Sequence, residues 1–310
     1  MEAIEHQMIN TNGIKMHVAS IGTGPVVLLL HGFPELWYSW RHHLLYLSSV
    51  GYRAIAPDLR GYGDTDSPPS PESYTAFHLV GDLVGVLDEL GIDKVYLVGH
   101  DWGAYVAWYF SLFRPDRIKA LVALSVEFFP RNPKISLIES YRAAYGDDFY
   151  MCKFKIPGLV EQVFGYMDPA ELFKGIFSNR STNPLFMHEQ NNAAKLPSWL
   201  TEQDINYYAD KYKRKGFTGP LNYYRAFDRS WELTAPWTGA QIQVPAKFIV
   251  GDSDLTYHFK GAKEYIHKGG FKRDVPFLEE AVVMEDTCHF INQERVHETC
   301  AHIHDFIKKF

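Results

Sequence analysis

The 310-residue chain has no long apolar run. None of its hydrophobic stretches approaches the roughly 20 residues that a membrane-spanning helix requires, so we expect no insertion into a membrane. Its first ten residues, MEAIEHQMIN, contain neither a basic leader nor an apolar segment of the kind found in secretory signals. From these two absences we expect a protein that resides in the cytoplasm.

Cysteine is also scarce, with only Cys152, Cys288 and Cys300 and no spacing typical of a metal site. An odd, sparse set predicts free thiols in a reducing compartment rather than a disulfide framework. Basic residues do not predominate either: 31 lysines and arginines stand against 37 acidic residues, for a net charge of −6. This balance gives no reason to expect nucleic acid or an anionic membrane as a partner. We expect no metal and no organic cofactor.

What the chain does have is a distinctive strand–turn–helix segment, KVYLVGHDWGAYVAWYFSLF, from Lys94 to Phe113. It opens with an unbroken apolar run, which is typical of a strand buried on both faces of a parallel sheet. It then turns at Gly-His-Asp-Trp-Gly and continues as a helix that begins with small residues. This is the layout of a nucleophile elbow, written G-x-S-x-G, in which Asp101 stands where serine is usual.

The carboxylate of Asp101 predicts a chemistry different from that of a serine. A carboxylate is ionised at neutral pH and is a nucleophile without a base to activate it. Its place at a helix N-terminus favours the charged form. Such a group suits displacement at a saturated carbon that carries a strained or good leaving group, giving an ester that water then cleaves. The alternative is that Asp101 only caps the helix, a role for which aspartate is favoured.

Strands and helices alternate along most of the chain. A β-hairpin over residues 5–20, with its turn at Asn12-Gly13, precedes the alternation. The predicted strands cover 25–30, 52–57, 95–98, 118–124, 246–250 and 281–285, and the predicted helices cover 35–50, 77–90, 103–113 and 296–307. This pattern predicts an α/β fold with a mostly parallel, doubly wound sheet.

The alternation stops between about Pro130 and Ala235, where the sequence has several helical stretches and no convincing buried strand. We therefore predict a helical lid over residues 131–235, inserted into an α/β core made of residues 1–130 and 236–310. Nine of the 19 tyrosines fall in this lid, at positions 141, 145, 150, 166, 207, 208, 212, 223 and 224. A phenol stays protonated at neutral pH and can donate a hydrogen bond to a departing oxygen, but the residues alone do not show which tyrosines do so.

Hydrolysis of an ester on Asp101 needs a base that activates water and an acid that orients this base. In an elbow protein the chain order is nucleophile, acid, histidine, each on a loop after a strand. The first strand after the lid ends in Gly-Asp-Ser-Asp, so the acid is Asp252 or Asp254. The next strand leads to His289, which is the predicted base.

The oxyanion that forms during ester hydrolysis needs two preorganised donors. The residue after the nucleophile, Trp102, supplies one backbone N–H. The other is expected from Phe33, in the loop after the first buried strand. Pro34 fixes this loop, and a cis Phe33–Pro34 bond is one way of doing so. His31 and His100, on the two loops concerned, are predicted to be structural.

Four short motifs give the chain a family resemblance. They are His31-Gly-Phe-Pro, Asp58-Leu-Arg-Gly-Tyr-Gly, Gly99-His-Asp-Trp-Gly and Cys288-His-Phe. Together they resemble the α/β-hydrolase-fold epoxide hydrolases over essentially the whole chain, and most closely the soluble epoxide hydrolases of plants. The resemblance implies an α/β-hydrolase fold and an enzyme that converts epoxides, such as fatty-acid or aryl-substituted oxiranes, to vicinal diols with water. We expect a monomer or a homodimer.

The resemblance also implies roles for individual residues. In this family two lid tyrosines polarise the oxirane oxygen, and they match Tyr150 in Asp-Asp-Phe-Tyr-Met and Tyr224 in Asn-Tyr-Tyr-Arg, with Tyr223 as the alternative. The family's acid is the fourth residue of a Gly-x-x-Asp turn, which favours Asp254. Glu35, after His-Gly-Phe-Pro, matches a residue thought to place the hydrolytic water; its alternative is a carboxylate at a helix N-terminus.

Two alternative functions stay open. The core motifs are shared with haloalkane dehalogenases, which would use Asp101 and His289 but hold a halide with indole N–H groups. Trp102 could be one such donor, but a second is not identifiable, and the paired tyrosine motifs argue against this function. The other alternative is a non-catalytic small-molecule receptor on the same fold. Asp101 argues against it, because such receptors retain the serine elbow.

Overall fold

The computed structural model describes residues 3–183 and 195–310. In this part of the chain eight strands form one sheet, in the order β1-β2-β4-β3-β5-β6-β7-β8. The strands are β1 (Glu5–Thr11), β2 (Ile14–Ile21), β3 (Val26–Leu30), β4 (Arg53–Pro57), β5 (Val95–His100), β6 (Ile118–Leu124), β7 (Ala246–Gly251) and β8 (Leu278–Met284). β2 pairs antiparallel with β1 and β4, and all other neighbours are parallel. The predicted, mostly parallel sheet is confirmed.

Helices cover the central strands. Every residue of β5 and β7 is buried, which explains their unbroken apolar sequences, because a strand covered on both faces favours hydrophobic side chains throughout. The helices outside the β6–β7 connection are α1 (Arg41–Ser49), α2 (Ala76–Glu89), α3 (Trp102–Phe113), α11 (Ala262–His267), α12 (Gly270–Asp274), α13 (Ile291–Glu294) and α14 (Val296–Ile307). α1 packs against α14, and α2 packs against α3.

Seven helices follow β6 in the described part of the β6–β7 connection, which contains no strand there. They are α4 (Leu137–Tyr145), α5 (Tyr150–Phe154), α6 (Leu159–Gly165), α7 (Pro169–Ser178), α8 (Glu202–Lys215), α9 (Thr218–Arg225) and α10 (Phe227–Leu233). The division into a core and a lid over 131–235 stays a prediction, and residues 184–194 of that lid lie outside the described residues. None of the helices in residues 3–183 and 195–310 has the length and apolarity that crossing a bilayer requires.

Local sequence explains the hairpin and two shifted boundaries. Asn12 and Gly13 join β1 to β2 with φ of 44° and 78°, as the predicted primed turn requires. β8 begins at Leu278, before the predicted residue 281. The prediction started too late because Glu279 and Glu280 are exposed on this edge strand, and their charges obscure the strand pattern. The helix predicted over 35–50 is a short 3₁₀ turn followed by α1.

Helices α8 and α9 are bound to the strand-end loops by side-chain hydrogen bonds. Tyr38 Oη donates to Asp204 Oδ1 at 2.9 Å, and Arg41 pairs with the same oxygen at 3.1 Å. Tyr223 Oη donates to the backbone carbonyl of Arg60 at 2.8 Å. The helical segment therefore lies over the loops that follow β3 and β4, at the carboxyl ends of the central strands.

Candidate active site

Asp101 lies in a sharp turn between β5 and α3, with φ of 52° and ψ of −119°. A positive φ is unfavourable for a residue with a Cβ and persists where the surrounding structure imposes it. Two glycines allow the turn: a Cβ on Gly99 would lie 2.3 Å from the Gly103 carbonyl oxygen, and one on Gly103 would lie 2.1 Å from that of Leu30. The strand–turn–helix predicted from the sequence is confirmed.

The carboxylate of Asp101 makes no hydrogen bond that caps α3, although the residue stands at the cap position. Its Oδ1 instead accepts the backbone N–H of Phe33 at 2.7 Å, and its side chain is 14% exposed. A cis peptide bond joins Phe33 to Pro34, as the sequence allowed. Trp102 opens α3, so its backbone N–H is one of the first N–H groups of the helix, which have no intrahelical partner. Of the two predicted oxyanion donors, the Phe33 N–H contacts the Asp101 carboxylate directly, and the Trp102 N–H belongs to the residue that follows Asp101.

His289 connects Asp101 to a buried carboxylate. Its Nδ1 lies 2.9 Å from Asp254 Oδ1, and its Nε2 lies 3.5 Å from Asp101 Oδ2. Asp254 is fully buried, and its Oδ1 also accepts hydrogen bonds from the backbone N–H and the hydroxyl of Thr256, both at 2.9 Å. Asp252, the other candidate from the sequence, accepts a hydrogen bond from the hydroxyl of the next residue instead.

The two carboxylates control the protonation of His289. Burial by itself would lower the pKa of this imidazole, but Asp254 and Asp101 outweigh burial and raise the pKa well above its usual 6.5. Burial by itself would raise the pKa of Asp254, but the interactions of Asp254 with His289 outweigh burial and leave this pKa below its usual 3.8. The two carboxylates therefore favour the protonated form of His289.

Glu35 and His100 form a second buried pair behind the elbow. His100 Nδ1 donates to Glu35 Oε2 at 2.7 Å, and its Nε2 donates to the backbone carbonyl of His289 at 2.7 Å. The Glu35 carboxylate also accepts the N–H of Gly32 at 3.0 Å and the side-chain amide of Gln293 at 2.9 Å. Burial would raise the pKa of Glu35, but His100 outweighs burial, and the pKa is lowered to about 2.

These contacts bear on the predicted roles of two histidines and one glutamate. Glu35 directly precedes Leu36, the N-cap residue of the 3₁₀ turn, but the partners of its carboxylate are a histidine, a loop N–H and side-chain amides. His31 fits its predicted structural role, with its ring bonded to the Gly32 carbonyl at 2.9 Å and to the Leu59 N–H at 3.0 Å. His100 does more than pack, since it links Glu35 to the backbone of the predicted base. Its place directly before the nucleophile in the elbow was the available signal.

Two tyrosines of the helical segment approach Asp101. Tyr150 opens α5 and Tyr224 lies in α9, with ring centroids 6.3 Å apart and ring planes at 75°. Burial raises the pKa of both phenols well above 10, and the negative charge of Asp101 acts in the same direction on each. Both phenols are therefore protonated and lie close enough to the carboxylate to respond to its charge.

The contacts favour Tyr224 over Tyr223 as the second tyrosine of the site. Tyr223 donates its hydroxyl hydrogen to the Arg60 carbonyl, so this group is already used by the fold. The Tyr224 ring makes edge contacts with Phe33 at 5.5 Å and with Trp102 at 4.9 Å. A hydrogen bond from the Trp102 side chain partly opposes the rise in the pKa of Tyr224.

One cluster in the described part of the chain has ligand atoms close enough together for a metal ion, namely His17, Asp58 and Asp64. These groups already serve the fold. His17 Nδ1 donates to Asp58 at 2.9 Å, Asp58 also accepts the N–H of Trp37 at 3.0 Å, and Lys211 pairs with Asp64. The cluster is a hydrogen-bonded junction between β2, the loop after β4 and α8.

Comparisons with known proteins agree on one group of enzymes. Residues 25–295 match the model of the α/β hydrolase fold family. The chain is 73% identical to epoxide hydrolase 3 of Siraitia grosvenorii, with 100% of both chains covered. It superposes on an epoxide hydrolase of Vigna radiata with a TM-score of 0.95 at 57% identity, covering 100% of this chain and 99% of that one. Potato epoxide hydrolase I gives a TM-score of 0.95 at 52% identity, covering 99% of this chain and 100% of its own.

Proposed function

The chain belongs to the epoxide hydrolases of the α/β-hydrolase fold, and we propose that it hydrolyses its substrate through a covalent ester on Asp101. The observation that supports this mechanism best is the position of Asp101 beside a backbone N–H, the imidazole of His289 and two buried phenols. An anionic nucleophile, a base oriented by a second acid, and neutral proton donors are the groups needed to open an oxirane and then cleave an ester.

In the proposed first step, Asp101 attacks an oxirane carbon in line with the bond to the oxirane oxygen. This C–O bond breaks, its electron pair stays on the oxygen, and a phenol of Tyr150 or Tyr224 protonates that oxygen while the other donates a hydrogen bond. Oδ2 is the attacking oxygen, because Oδ1 is held by the Phe33 N–H at 2.7 Å and already stands where the ester carbonyl will be. The raised pKa of both phenols retains their protons until the more basic alkoxide forms.

Ester formation then changes the state of His289. It removes the charge of Asp101, one of the two carboxylates that raise the pKa of His289, so this pKa falls. The proton that His289 releases restores the phenol, and the neutral imidazole can take a proton from water. Asp254 holds the imidazole through its Nδ1 during this transfer.

In the proposed second step, the activated water attacks the ester carbonyl carbon of Asp101. The negative charge that develops on Oδ1 is stabilised by the N–H groups of Phe33 and Trp102. The bond between the carbonyl carbon and the alkyl oxygen breaks. This oxygen takes the proton from His289, and a vicinal diol leaves. The regenerated carboxyl of Asp101 returns its proton to His289, which restores the resting pair.

We further propose that Glu35 helps to position the hydrolytic water. Its carboxylate is fully buried, stays ionised and is bonded to His100, whose other ring nitrogen donates to the His289 carbonyl. This chain of contacts runs from a fixed negative charge to the base that activates water. It supports a role in the hydrolysis step rather than in the attack on the epoxide.

The aromatic lining supports apolar substrates, such as fatty-acid or aryl-substituted epoxides. Helices α4 to α10, which carry both active tyrosines in this proposal, would act as the lid over 131–235. The ring of Tyr224 packs on Phe33 and Phe154, with centroids 5.5 Å and 4.9 Å apart. We also propose a cytoplasmic monomer or homodimer; three free, buried cysteines fit a reducing compartment.

The decisive experiment is an intact-protein mass spectrum of the His289→Gln variant after brief exposure to an aryl epoxide. Without the base that activates water, the ester should accumulate, and the adduct should have the full mass of the epoxide. Peptide mapping should locate this adduct on Asp101. The double variant with Asp101→Asn is the matched control and should remain unlabelled.

Two other outcomes would contradict the proposal. An alkyl adduct formed with a haloalkane, with none formed from the epoxide, would indicate a dehalogenase. A folded variant that forms no adduct with either reagent, yet is stabilised against heat by the epoxide, would indicate a receptor. Both alternatives were raised by the sequence, and neither matches the activity named for the relatives described above.

A further inference from the structure

A strained three-residue turn lies at the carboxyl end of β6. It consists of Leu124, Ser125 and Val126, and a hydrogen bond from the Val126 N–H to the Leu124 carbonyl closes it at 2.9 Å. Ser125, at its centre, has a φ of 70°. A turn of this size with a positive φ at its centre is the rare, strained form of the γ-turn. We call these three residues the β6 turn; no sequence motif marks them, so Ser125 was not among the predicted site residues.

The surrounding structure imposes the strained conformation of Ser125. Among residues 3–183 and 195–310, four residues other than glycine have a positive φ. Three of them, including Asp101, are asparagine or aspartate, which adopt this conformation more often than other residues with a Cβ. Ser125 is the exception, and it is fully buried, with its N–H bonded to the Ile249 carbonyl of β7 at 2.8 Å. Strain of this kind clusters at functional sites, so the contacts of the β6 turn indicate what it does.

The backbone of the β6 turn contacts the elements that carry the nucleophile and the acid. The Leu124 carbonyl accepts the N–H of Asp101 at 3.2 Å. The Ser125 carbonyl accepts the hydroxyl of Thr256 at 2.6 Å. Both this hydroxyl and the Thr256 N–H lie 2.9 Å from Asp254 Oδ1. The turn therefore connects the elbow after β5 to the acid-bearing loop after β7.

The side chain of Ser125 contacts the third element, the loop that carries the base. Its Oγ donates to the backbone carbonyl of His289 at 3.0 Å. His100 Nε2 donates to the same carbonyl at 2.7 Å. A carbonyl oxygen has two lone pairs, so this one is fully used. The backbone of His289 is thus held by His100 from β5 and by Ser125 from β6.

We propose that the β6 turn fixes the nucleophile, acid and base relative to one another, and that Ser125 is a positioning residue for ester hydrolysis. The inference rests on the proposed function, because it takes His289 as the group that activates water. Loss of the hydroxyl should affect the second step most, since that step needs the imidazole aligned with both the ester and Asp254. The first step depends less on this alignment, because the Phe33 N–H orients the attacking carboxylate of Asp101.

The test compares Ser125→Gly with Ser125→Ala in the whole protein. Both variants remove the hydroxyl, but only glycine relieves the strain, because a residue without a Cβ adopts a positive φ readily. Urea unfolding should therefore give Ser125→Gly a midpoint at or above that of Ser125→Ala. In single-turnover quench experiments with an aryl epoxide, ester hydrolysis should slow by about tenfold or more in both variants, and alkylation should change by less than about twofold.

Thr11→Val is the matched control. The Thr11 hydroxyl donates to the Asp82 carbonyl at 2.9 Å, and the residue is buried between β1 and α2. The variant therefore loses a buried hydrogen bond between a hydroxyl and a backbone carbonyl, as the Ser125 variants do, but at a place outside the candidate active site. Both of its single-turnover rates should equal those of the wild type.

The position of the imidazole can also be observed without turnover. The proton between His289 Nδ1 and Asp254 Oδ1, which lie 2.9 Å apart, should give a low-field ¹H NMR resonance that is absent from His289→Gln. In Ser125→Gly and Ser125→Ala this resonance should move to higher field, because a longer hydrogen bond leaves its proton more shielded. In Thr11→Val it should stay where it is in the wild type.

Three results would overturn the proposal: ester hydrolysis at the wild-type rate in Ser125→Gly, equal slowing of both steps in the two Ser125 variants, or an unmoved His289 resonance in both. The first would show that Ser125 serves the fold alone, because relief of strain would then replace the hydroxyl. A wild type that forms no ester with the epoxide would count against the proposed function instead. The NMR comparison would still test the position of His289, so the two failures are distinguishable.

Discussion

The two sides of the candidate active site are built in different ways. The sheet-side groups are Asp101, His289, Asp254, Glu35 and His100. The helix-side groups are Tyr150 and Tyr224. Sheet-side groups stand on or beside strand ends and are joined to one another and to the backbone by hydrogen bonds. Helix-side groups stand on α5 and α9, among packed aromatic rings.

Burial alone would raise the pKa of the acidic groups on both sides, but the final direction of the shift differs between the sides. On the sheet side a neighbouring imidazole outweighs burial, so the pKa of Glu35 falls to about 2 and that of Asp254 lies below its usual value. On the helix side burial and the charge of Asp101 act together, and the pKa of each phenol rises well above 10. The sheet side therefore keeps its carboxylates ionised, whereas the helix side keeps its phenols protonated.

The largest expected effect tests whether the two sides act in different steps. Replacing Tyr150 and Tyr224 together by phenylalanine removes both proton donors but keeps the rings. Alkylation of Asp101 should slow by at least about 1,000-fold, because the departing oxygen loses its hydrogen-bond donors. Hydrolysis of an ester already formed should change little. Single-turnover quench experiments, which count ester and diol separately, measure both rates.

Tyr223→Phe is the matched control for this double variant. The Tyr223 hydroxyl donates to the Arg60 carbonyl, so its loss should destabilise the fold by about 1 kcal/mol and leave alkylation unchanged. Urea unfolding and the same quench experiment separate these two effects. Full activity in the Tyr150/Tyr224 double variant would refute the helix-side assignment.

A smaller effect is expected from Glu35→Gln on the sheet side. The variant keeps the shape of the side chain but removes the charge that pairs with His100. Ester hydrolysis should slow, by up to about 100-fold, since the water would no longer be held in place. Alkylation should be unaffected. A variant in which alkylation slows and hydrolysis does not would reverse the division of labour between the two sides.

The same variant has a pH signature in stability. The pKa of Glu35 is about 2 in the folded protein, below its ordinary 4.5, so its contribution to stability is present above pH 4.5 and is lost as the pH falls toward 2. The wild type should exceed Glu35→Gln by about 3 kcal/mol at neutral pH. This difference should shrink to near zero at pH 2. Urea unfolding at several pH values measures it.

The difference between sheet-side and helix-side groups also explains which site residues the sequence could predict. Asp101, Asp254 and His289 follow strands in a fixed order, so pattern and topology locate them, apart from the choice between Asp252 and Asp254. The tyrosines lie in helices without a distinguishing period, and only the family resemblance selected Tyr150 and Tyr224 from nine. Partnerships such as that of His100 with Glu35 join residues distant in sequence, and no local pattern encodes them.

The smallest expected effect concerns the contact between helix α8 and the residues that follow β3, which joins the helical segment to the sheet. Asp204 of α8 accepts the Tyr38 hydroxyl at 2.9 Å and pairs with Arg41 at 3.1 Å, and its side chain is only 10% exposed. Asp204→Asn keeps the size but loses the charge, so we expect a loss of about 2 kcal/mol in the free energy of unfolding. The control is Glu264→Gln, which breaks the exposed pair with Lys268 and should cost almost nothing.

Thermal unfolding and single-turnover rates together show what the Asp204 contact does for the site. If α8 helps to hold the helix-side groups over the sheet, Asp204→Asn should slow alkylation slightly and leave ester hydrolysis unchanged, because only the first step needs the phenols. Equal losses of stability in Asp204→Asn and Glu264→Gln would contradict this. The charged contact of Asp204 would then contribute nothing to holding the helical segment, and the other contacts of that segment, such as the hydrogen bond from Tyr223 to the Arg60 carbonyl, would hold it.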